Sequence, residues 1–210
     1  MADHVELAFQ LAFKYRCPTM ILSDGVIGQM MEKVVLPEQR PRRTEEEIAR
    51  EFPWATIGRT GMCKPNIMTS LELSAEVMEE RNIALQKKYR TIEENEVRYQ
   101  ITGDDDSEYL IVAFGVSARL SEEAIRTLAK QGIKAQLLRP ITLWPFPKKT
   151  VREHAEGKKG ILVVEINAGQ MVDDVRLATE GCVKVEHFGR LGGMVPEPDD
   201  IVDAIKEKFI

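Results

Sequence analysis

The sequence has few of the residues that hold metal clusters. It contains three cysteines and three histidines among 210 residues, and it has no CxxC pair. Closely spaced cysteines are the usual ligands of iron–sulfur clusters and zinc, so no such site is expected within this chain. The cysteines are Cys17, Cys63 and Cys182. An odd number of scattered cysteines is typical of proteins in a reducing cytoplasm, and a cytoplasmic location is therefore expected.

Long apolar runs and an excess of basic charge are also missing. No apolar run approaches the roughly 20 residues of a membrane span, and the acidic start MADHVELAFQ lacks the order of a signal peptide. The net charge of −5 argues against nucleic acid as the main partner, because a phosphate-binding surface needs a basic excess. What remains is a globular composition, with 43% hydrophobic and 30% charged residues.

The stretch GILVVEINAGQMVDDVR, residues 160–176, is the clearest structural signal in the chain. The run Ile161–Val164 has the β-branched bias of a strand buried on both faces, and helical spacing starts at Met171. The polar residues between strand and helix are Glu165, Asn167 and Gln170. Open α/β sheets place ligands or partners at such strand ends, although residues that only close the turn and cap the helix give the same pattern.

Strands alternate with helices throughout the second half of the chain. The predicted strands cover residues 109–114, 133–138, 161–164 and 183–188, after an edge strand over 97–101. The predicted helices run from 117 or 121 to 130, from 147 to 157, from 171 to 180 and from 198 onwards. This alternation predicts an α/β fold, in which a largely parallel sheet lies between helices in a three-layer αβα domain.

The first half of the chain predicts less regular structure. A helix over residues 4–16 and a strand over Thr19–Leu22 cannot bury each other's apolar faces, so a partner or the rest of the chain must cover them. Residues 33–69 are rich in proline and loops, with a short helix after the capping pair Thr44 and Glu47. A long, highly charged helix over 74–95 then connects two units.

Two further polar clusters follow strand ends. The segment Gly115–Arg119 is a small-residue turn into a helix N-terminus, a geometry that can cradle an anion, but it lacks GxGxxG spacing. The loop RPITLWPFP, which begins at Arg139, combines prolines with aromatics and predicts packing under a partner or over the sheet edge. No Ser/His/Asp or Cys/His constellation can be assembled from the order of the residues.

Four separated motifs resemble one protein family. They are SDGVIGQMMEKV (23–34), VAFGVSAR (112–119), LLRPITLWPFP (137–147) and EINAGQMVDDVR (165–176). In this order they resemble the closing half of the α subunit of the 2-oxoacid:ferredoxin oxidoreductases, most of all the 2-oxoglutarate and 2-oxoisovalerate types. The resemblance covers nearly the whole chain.

The resemblance implies a transketolase-like architecture and a multisubunit enzyme. Residues 1–35 would be the end of a thiamine pyrimidine-binding domain, 36–107 a connecting segment with the long helix, and 108–210 a transketolase C-terminal-like domain. Such enzymes use thiamine diphosphate, Mg and iron–sulfur clusters to decarboxylate a 2-oxoacid, reduce ferredoxin and form an acyl-coenzyme A. The implied partners are a thiamine-binding β subunit and an iron–sulfur subunit, in a homo- or hetero-oligomer.

The sequence also departs from the family pattern. The glutamate that activates the thiamine ring, the GDG motif with its asparagine, and the cluster cysteines have no counterpart here. We therefore expect a truncated subunit or split-gene product that is inactive alone, with no catalytic, cofactor-binding or metal-binding residues; the alternative is a non-catalytic dimerisation module. The residues expected at an interface or near the cofactor region are Asp24, Ser117, Arg119, Arg139, Glu165, Asn167, Gln170 and Arg176.

Overall fold

The computed structural model describes residues 1–36, 38–39, 41–58 and 67–210, so Cys63 lies outside the described residues. The helices are α1 (Ala2–Tyr15), α2 (Gly25–Gln29), α3 (Glu45–Glu51), α4 (Ala75–Asn95), α5 (Gly115–Lys130), α6 (Lys148–Ala155), α7 (Met171–Thr179) and α8 (Pro198–Phe209). The strands are β1 (Tyr99–Thr102), β2 (Tyr109–Ala113), β3 (Ala135–Pro140), β4 (Gly160–Glu165) and β5 (Val185–Gly189).

The strands form one sheet in the order β1-β3-β2-β4-β5. The sheet is parallel from β3 through β2 and β4 to β5. At one edge, β1 runs antiparallel to β3. Every residue of β2 and β4 is buried. Continuous burial is expected for central parallel strands with helices on both faces. The predicted three-layer αβα fold and its edge strand are confirmed.

A separate apolar core lies on each face of the sheet. On the first face, α5 and α8 cover side chains of β2 and β4, and the buried residues include Ile111, Leu128, Leu162, Ile201 and Ile205. On the second face, α6 and α7 cover the alternate side chains, and the buried residues include Leu110, Val151, Val163, Met171 and Val175. This division follows from the two-residue period of a strand, which sends neighbouring side chains to opposite faces.

Several predicted boundaries were displaced by about two residues, and contacts in the structure explain two of the shifts. α5 begins at Gly115 rather than at residue 117 or 121, because Gly115 takes a φ of 61° that lets the helix start directly after β2. β3 begins two residues late, because the Ile133 N–H bonds to the Leu128 carbonyl oxygen. With Gly132 at a φ of 79°, this bond closes α5 in a Schellman-type ending before the strand can start.

The predicted strand over Thr19–Leu22 was wrong. Within residues 1–36, all of which are described, the structure forms α1 and α2 but no strand. A strand needs a neighbouring strand to which its backbone can hydrogen-bond, and no strand of the sheet pairs with residues 19–22. The apolar side chains of this segment are accordingly exposed, with Met20 at 78% and Leu22 at 63%. α2, where the sequence predicted only a turn, follows at Gly25.

The capping prediction at Thr44 and Glu47 was confirmed. Thr44 and Glu47 form a capping box at α3, in which the Thr44 side chain accepts from the Glu47 N–H and the Glu47 carboxylate accepts from the Thr44 N–H. The Ser74 hydroxyl caps α4 by accepting from the Val77 N–H. α4 itself is a largely exposed helix in which only Ile92 is buried.

Glu96, the residue after α4, joins α1 to the three-layer domain. Its carboxylate is 2% exposed and accepts hydrogen bonds from Lys14 Nζ at 2.7 Å and the Tyr15 hydroxyl at 2.5 Å, with Arg98 at 2.8 Å on its other oxygen. Burial alone would raise the pKa of this carboxyl. The hydrogen bonds from Lys14, Tyr15 and Arg98 outweigh burial and lower the pKa from 4.5 to about 2.

The Glu96→Gln variant is expected to have a free energy of unfolding about 1–3 kcal/mol lower at pH 7, because a charged acceptor of three donors is lost. The folded carboxyl binds its proton only near pH 2, whereas the unfolded one binds it near 4.5. The stability from Glu96 is therefore present above pH 4.5 and is lost as the pH falls towards 2. Urea unfolding at pH 7, 5 and 3 measures this change. Glu94→Gln, an exposed carboxyl on α4, is the control, and equal effects of both variants at every pH would contradict the expectation.

Candidate functional site

Glu165, the last residue of β4, holds the N-terminus of α7. Its side chain is 1% exposed, and its carboxylate accepts from the backbone N–H groups of Gln170, Met171 and Val172 at 3.0–3.3 Å. The Asn167 side-chain amide donates to the same carboxylate at 3.1 Å. A buried carboxylate at this place satisfies the free N–H groups of the helix and interacts favourably with its dipole.

The other polar residues after β4 support the same turn. The Asn167 side-chain oxygen also accepts from the Gly169 N–H at 2.7 Å, and Gln170 contributes its backbone N–H while its side chain is exposed. Arg176 lies farther along α7, exposed, and pairs with Asp173 at 3.4 Å. Turn closure and helix capping, one of the two interpretations that the sequence left open, are observed for Glu165, Asn167 and the backbone of Gln170. Their place at an interface or near the cofactor region stays a prediction.

Asp24 caps the N-terminus of α5, as Glu165 caps that of α7. Unlike Glu165, Asp24 is distant in sequence, since it lies 92 residues before Val116, from whose N–H it accepts. One carboxylate oxygen accepts from the Ile27 N–H of α2 at 2.8 Å, and the other accepts from the Val116 N–H of α5 at 3.0 Å. A Cβ at Gly115 would lie 2.7 Å from that second oxygen, so the close approach requires glycine. The anion cradle predicted at Gly115–Arg119 is thus filled by a carboxylate of the chain itself.

Arg119, another predicted residue of the cradle, contacts the same N-terminal segment. Its guanidinium pairs with Glu32 and also donates to the Met30 sulfur at 3.6 Å. Ser117 is buried within α5, where its carbonyl oxygen accepts from the Ser121 hydroxyl at 2.7 Å. The structure therefore brings Asp24 and Arg119 together in a contact between residues 24–32 and the first turns of α5.

Arg139 lies apart from these residues. It stands on β3 opposite Gln100 of β1, at the antiparallel edge of the sheet. The pKa of His4 on α1 is lowered, first by burial and then by the positive charges of the N-terminus and Arg139. The loop after Arg139 packs against α4, since Trp144 lies edge-on to Tyr89 with ring centroids 5.5 Å apart.

Sequence reasoning missed His187 of β5. Its Nε2 atom is buried, lies 3.8 Å from Glu165 Oε1 and has no hydrogen-bond partner among the described residues. The ring lines an open cleft of about 620 Å³ together with Asn167 and Asp200. His187 lies beside Glu165 because β5 pairs with β4. The sequence does not give this strand order, so it held no signal that could have identified His187.

Neither a cluster of metal-ligating side chains nor a membrane-spanning helix is found in residues 1–36, 38–39, 41–58 and 67–210. No group of three or more His, Cys, Asp or Glu side chains in this part of the chain is placed to hold a metal ion. No helix in the same ranges is long and apolar enough to cross a membrane.

Comparison with known proteins agrees with the resemblance of the four motifs. Residues 107–201 match the pyruvate:ferredoxin oxidoreductase core domain II. Over 207 residues the chain is 42% identical to the ketoisovalerate oxidoreductase subunit VorB of Methanothermobacter thermautotrophicus, covering 99% of this chain and 57% of that protein. The close relatives of the chain are thus subunits of 2-oxoacid:ferredoxin oxidoreductases.

A less similar relative and a solved structure were also found. The 2-oxoglutarate synthase subunit KorA of Methanothermobacter marburgensis is 29% identical over 223 residues, which cover 97% of this chain and 60% of that protein. The structure of the 2-oxoglutarate:ferredoxin oxidoreductase from Magnetococcus marinus shares the fold, with a TM-score of 0.64 and 23% identity over 74% of this chain and 28% of that chain. The chain spans less than two thirds of the length of both curated relatives, VorB and KorA.

Proposed function

We propose that the chain contributes core domain II to an α-type subunit of a 2-oxoacid:ferredoxin oxidoreductase. The reaction is oxidative decarboxylation of a branched-chain 2-oxoacid such as 2-oxoisovalerate to its acyl-coenzyme A, with reduction of ferredoxin. The observation that supports this choice is 42% identity to a ketoisovalerate oxidoreductase subunit, against 29% to a 2-oxoglutarate synthase subunit, both over nearly the whole chain.

Thiamine diphosphate, Mg and iron–sulfur clusters belong to other parts of the proposed complex. The described residues do not fit these groups, because the buried or bridging carboxylates are already engaged. Backbone N–H groups take up Glu165 and Asp24, and Lys14, Tyr15 and Arg98 take up Glu96. No step of the reaction is therefore assigned to a side chain of this chain. Its proposed contribution is assembly with a thiamine-binding β subunit and an iron–sulfur subunit in the cytoplasm.

The N-terminal region carries the proposed contact with those partners. Residues 1–35 would complete a pyrimidine-binding domain, and residues 36–107 would connect it to core domain II. Exposed apolar side chains on α1 and in the following segment support this arrangement, since large exposed patches are typical of interaction surfaces. They include Phe9, Phe13, Met20, Leu22, Met31 and Val35.

Co-expression of the chain with the products of its neighbouring genes tests the proposal. We expect affinity capture of a thiamine-binding partner, and coenzyme A-dependent dye reduction with a kcat/KM about 10-fold or more higher for 2-oxoisovalerate than for 2-oxoglutarate. The control is the same preparation without this chain, which should not turn over. Turnover without the chain, or a preference for 2-oxoglutarate, would contradict the proposal. Self-association without capture would favour the dimerisation module.

A further inference from the structure

The two helices that start at the carboxyl ends of the adjacent strands β2 and β4 are capped in different ways. α7 is capped by Glu165, which belongs to the strand directly before it. Phe114, the residue before α5, has no polar side chain, and the acceptor comes from Asp24 in the N-terminal segment. Capping of α5 is therefore coupled to the position of a segment that lies far away in sequence.

We propose that Asp24 is a positioning residue that fastens residues 24–36 to core domain II by capping α2 and α5 with one carboxylate. This role belongs to the chain alone and does not depend on the proposed reaction. In the run that follows, Met30–Leu36, apolar residues flank Glu32 and Lys33, and Met31 is 98% and Val35 84% exposed. The carboxylate thus sets where this run lies against the domain.

A carboxylate is the only side-chain group of this size that can make both contacts. Its two oxygens each accept one N–H, from Ile27 and from Val116. An asparagine has only one amide oxygen, which could accept from Ile27 or from Val116, and its NH₂ would then face the N–H of the other residue, so that two donors would meet. Alanine would make neither contact.

Other contacts of the segment are weaker anchors. α2 has only five residues, fewer than an isolated helix needs to be stable. The Arg119–Glu32 pair is about half exposed on both sides, and exposed ion pairs contribute little. The contact at Asp24, which lies against Gly115 at the end of a buried strand, therefore holds the segment in place.

Amide hydrogen exchange of the full chain, followed by NMR at single residues, tests this role. In Asp24→Ala we expect the Ile27 and Val116 amides to exchange about 10-fold faster or more. In Asp24→Asn the single amide oxygen serves only one of the two donors, so one of the Ile27 and Val116 amides should exchange about 10-fold faster, whereas the other should keep most of its protection. Asp3→Asn, an exposed carboxyl in the first turn of α1, should change neither amide.

The buried β-strand amides of Ile111 and Leu162 serve as reporters of global folding. Unchanged exchange at these two residues, with the split between Ile27 and Val116 in Asp24→Asn, supports the positioning role. Equal acceleration of Ile27 and Val116 in Asp24→Asn would overturn it, because the two oxygens would then not act separately. Acceleration of the core amides to the same extent would also overturn it, since Asp24 would then support only overall stability.

Discussion

Replacing Glu165 with alanine is expected to lower the free energy of unfolding by about 3–4 kcal/mol, a large part of the roughly 5–15 kcal/mol that a domain has. The variant leaves the N–H groups of Gln170, Met171 and Val172 without their acceptor at the buried start of α7. An unsatisfied buried donor costs about 1–3 kcal/mol, and partial hydration of the cavity recovers some of that sum. Equilibrium unfolding in guanidinium chloride, followed by far-UV circular dichroism, measures the loss.

Two further variants distinguish the loss of the backbone hydrogen bonds at Glu165 from the loss of its negative charge. Glu165→Gln keeps one oxygen acceptor and the side-chain shape, so about half of the loss is expected. Asp173→Asn removes an exposed carboxylate from the first turn of the same helix, where the dipole effect is about 0.3–1 kcal/mol. If Glu165→Ala were no more destabilising than Asp173→Asn, the three backbone contacts would not contribute to stability.

The sheet could be predicted from the sequence because its signals are local. The apolar runs of β2 and β4 have the length and β-branched bias of buried strands, and glycines such as Gly132 mark the helix ends. Each of these signals lies within a few residues of the structure that it specifies. The predicted residues Glu165, Asn167 and Gln170 also lie together for that reason, since they share one turn.

The contacts between distant segments could not be predicted in this way. Nothing near Asp24 in the sequence indicates that its second oxygen accepts from Val116, and nothing near Gly115 indicates that its neighbour is a carboxylate. The strand expected at Thr19–Leu22 failed for the same physical reason. Local composition favours an extended chain, but a strand forms only where another strand provides hydrogen bonds.

Gly189→Ala is expected to lower the free energy of unfolding by about 2–3 kcal/mol through overpacking. Gly189 ends β5 opposite Glu165, and an added Cβ would lie 2.4 Å from the Asn167 carbonyl oxygen and 2.6 Å from His187 Cε1. The Asn167 backbone cannot move away easily, because its side chain is bonded to Glu165 and to the Gly169 N–H. Guanidinium unfolding measures the change.

Gly25→Ala provides the matched control for this clash. No described atom lies within 4 Å of the position that its Cβ would take, and the backbone φ is ordinary, so this substitution should be neutral or stabilise by about 0.4–1 kcal/mol. Adding His187→Ala to Gly189→Ala removes the ring but leaves the Asn167 oxygen in place. A backbone oxygen is less mobile than a side-chain ring, so the clash with Asn167 should account for most of the destabilisation. The double variant should therefore recover less than half of the stability that Gly189→Ala loses. Full recovery of stability would instead mean that the turn after β4 shifts away from the added Cβ. The His187 ring would then be the sole reason for glycine at position 189.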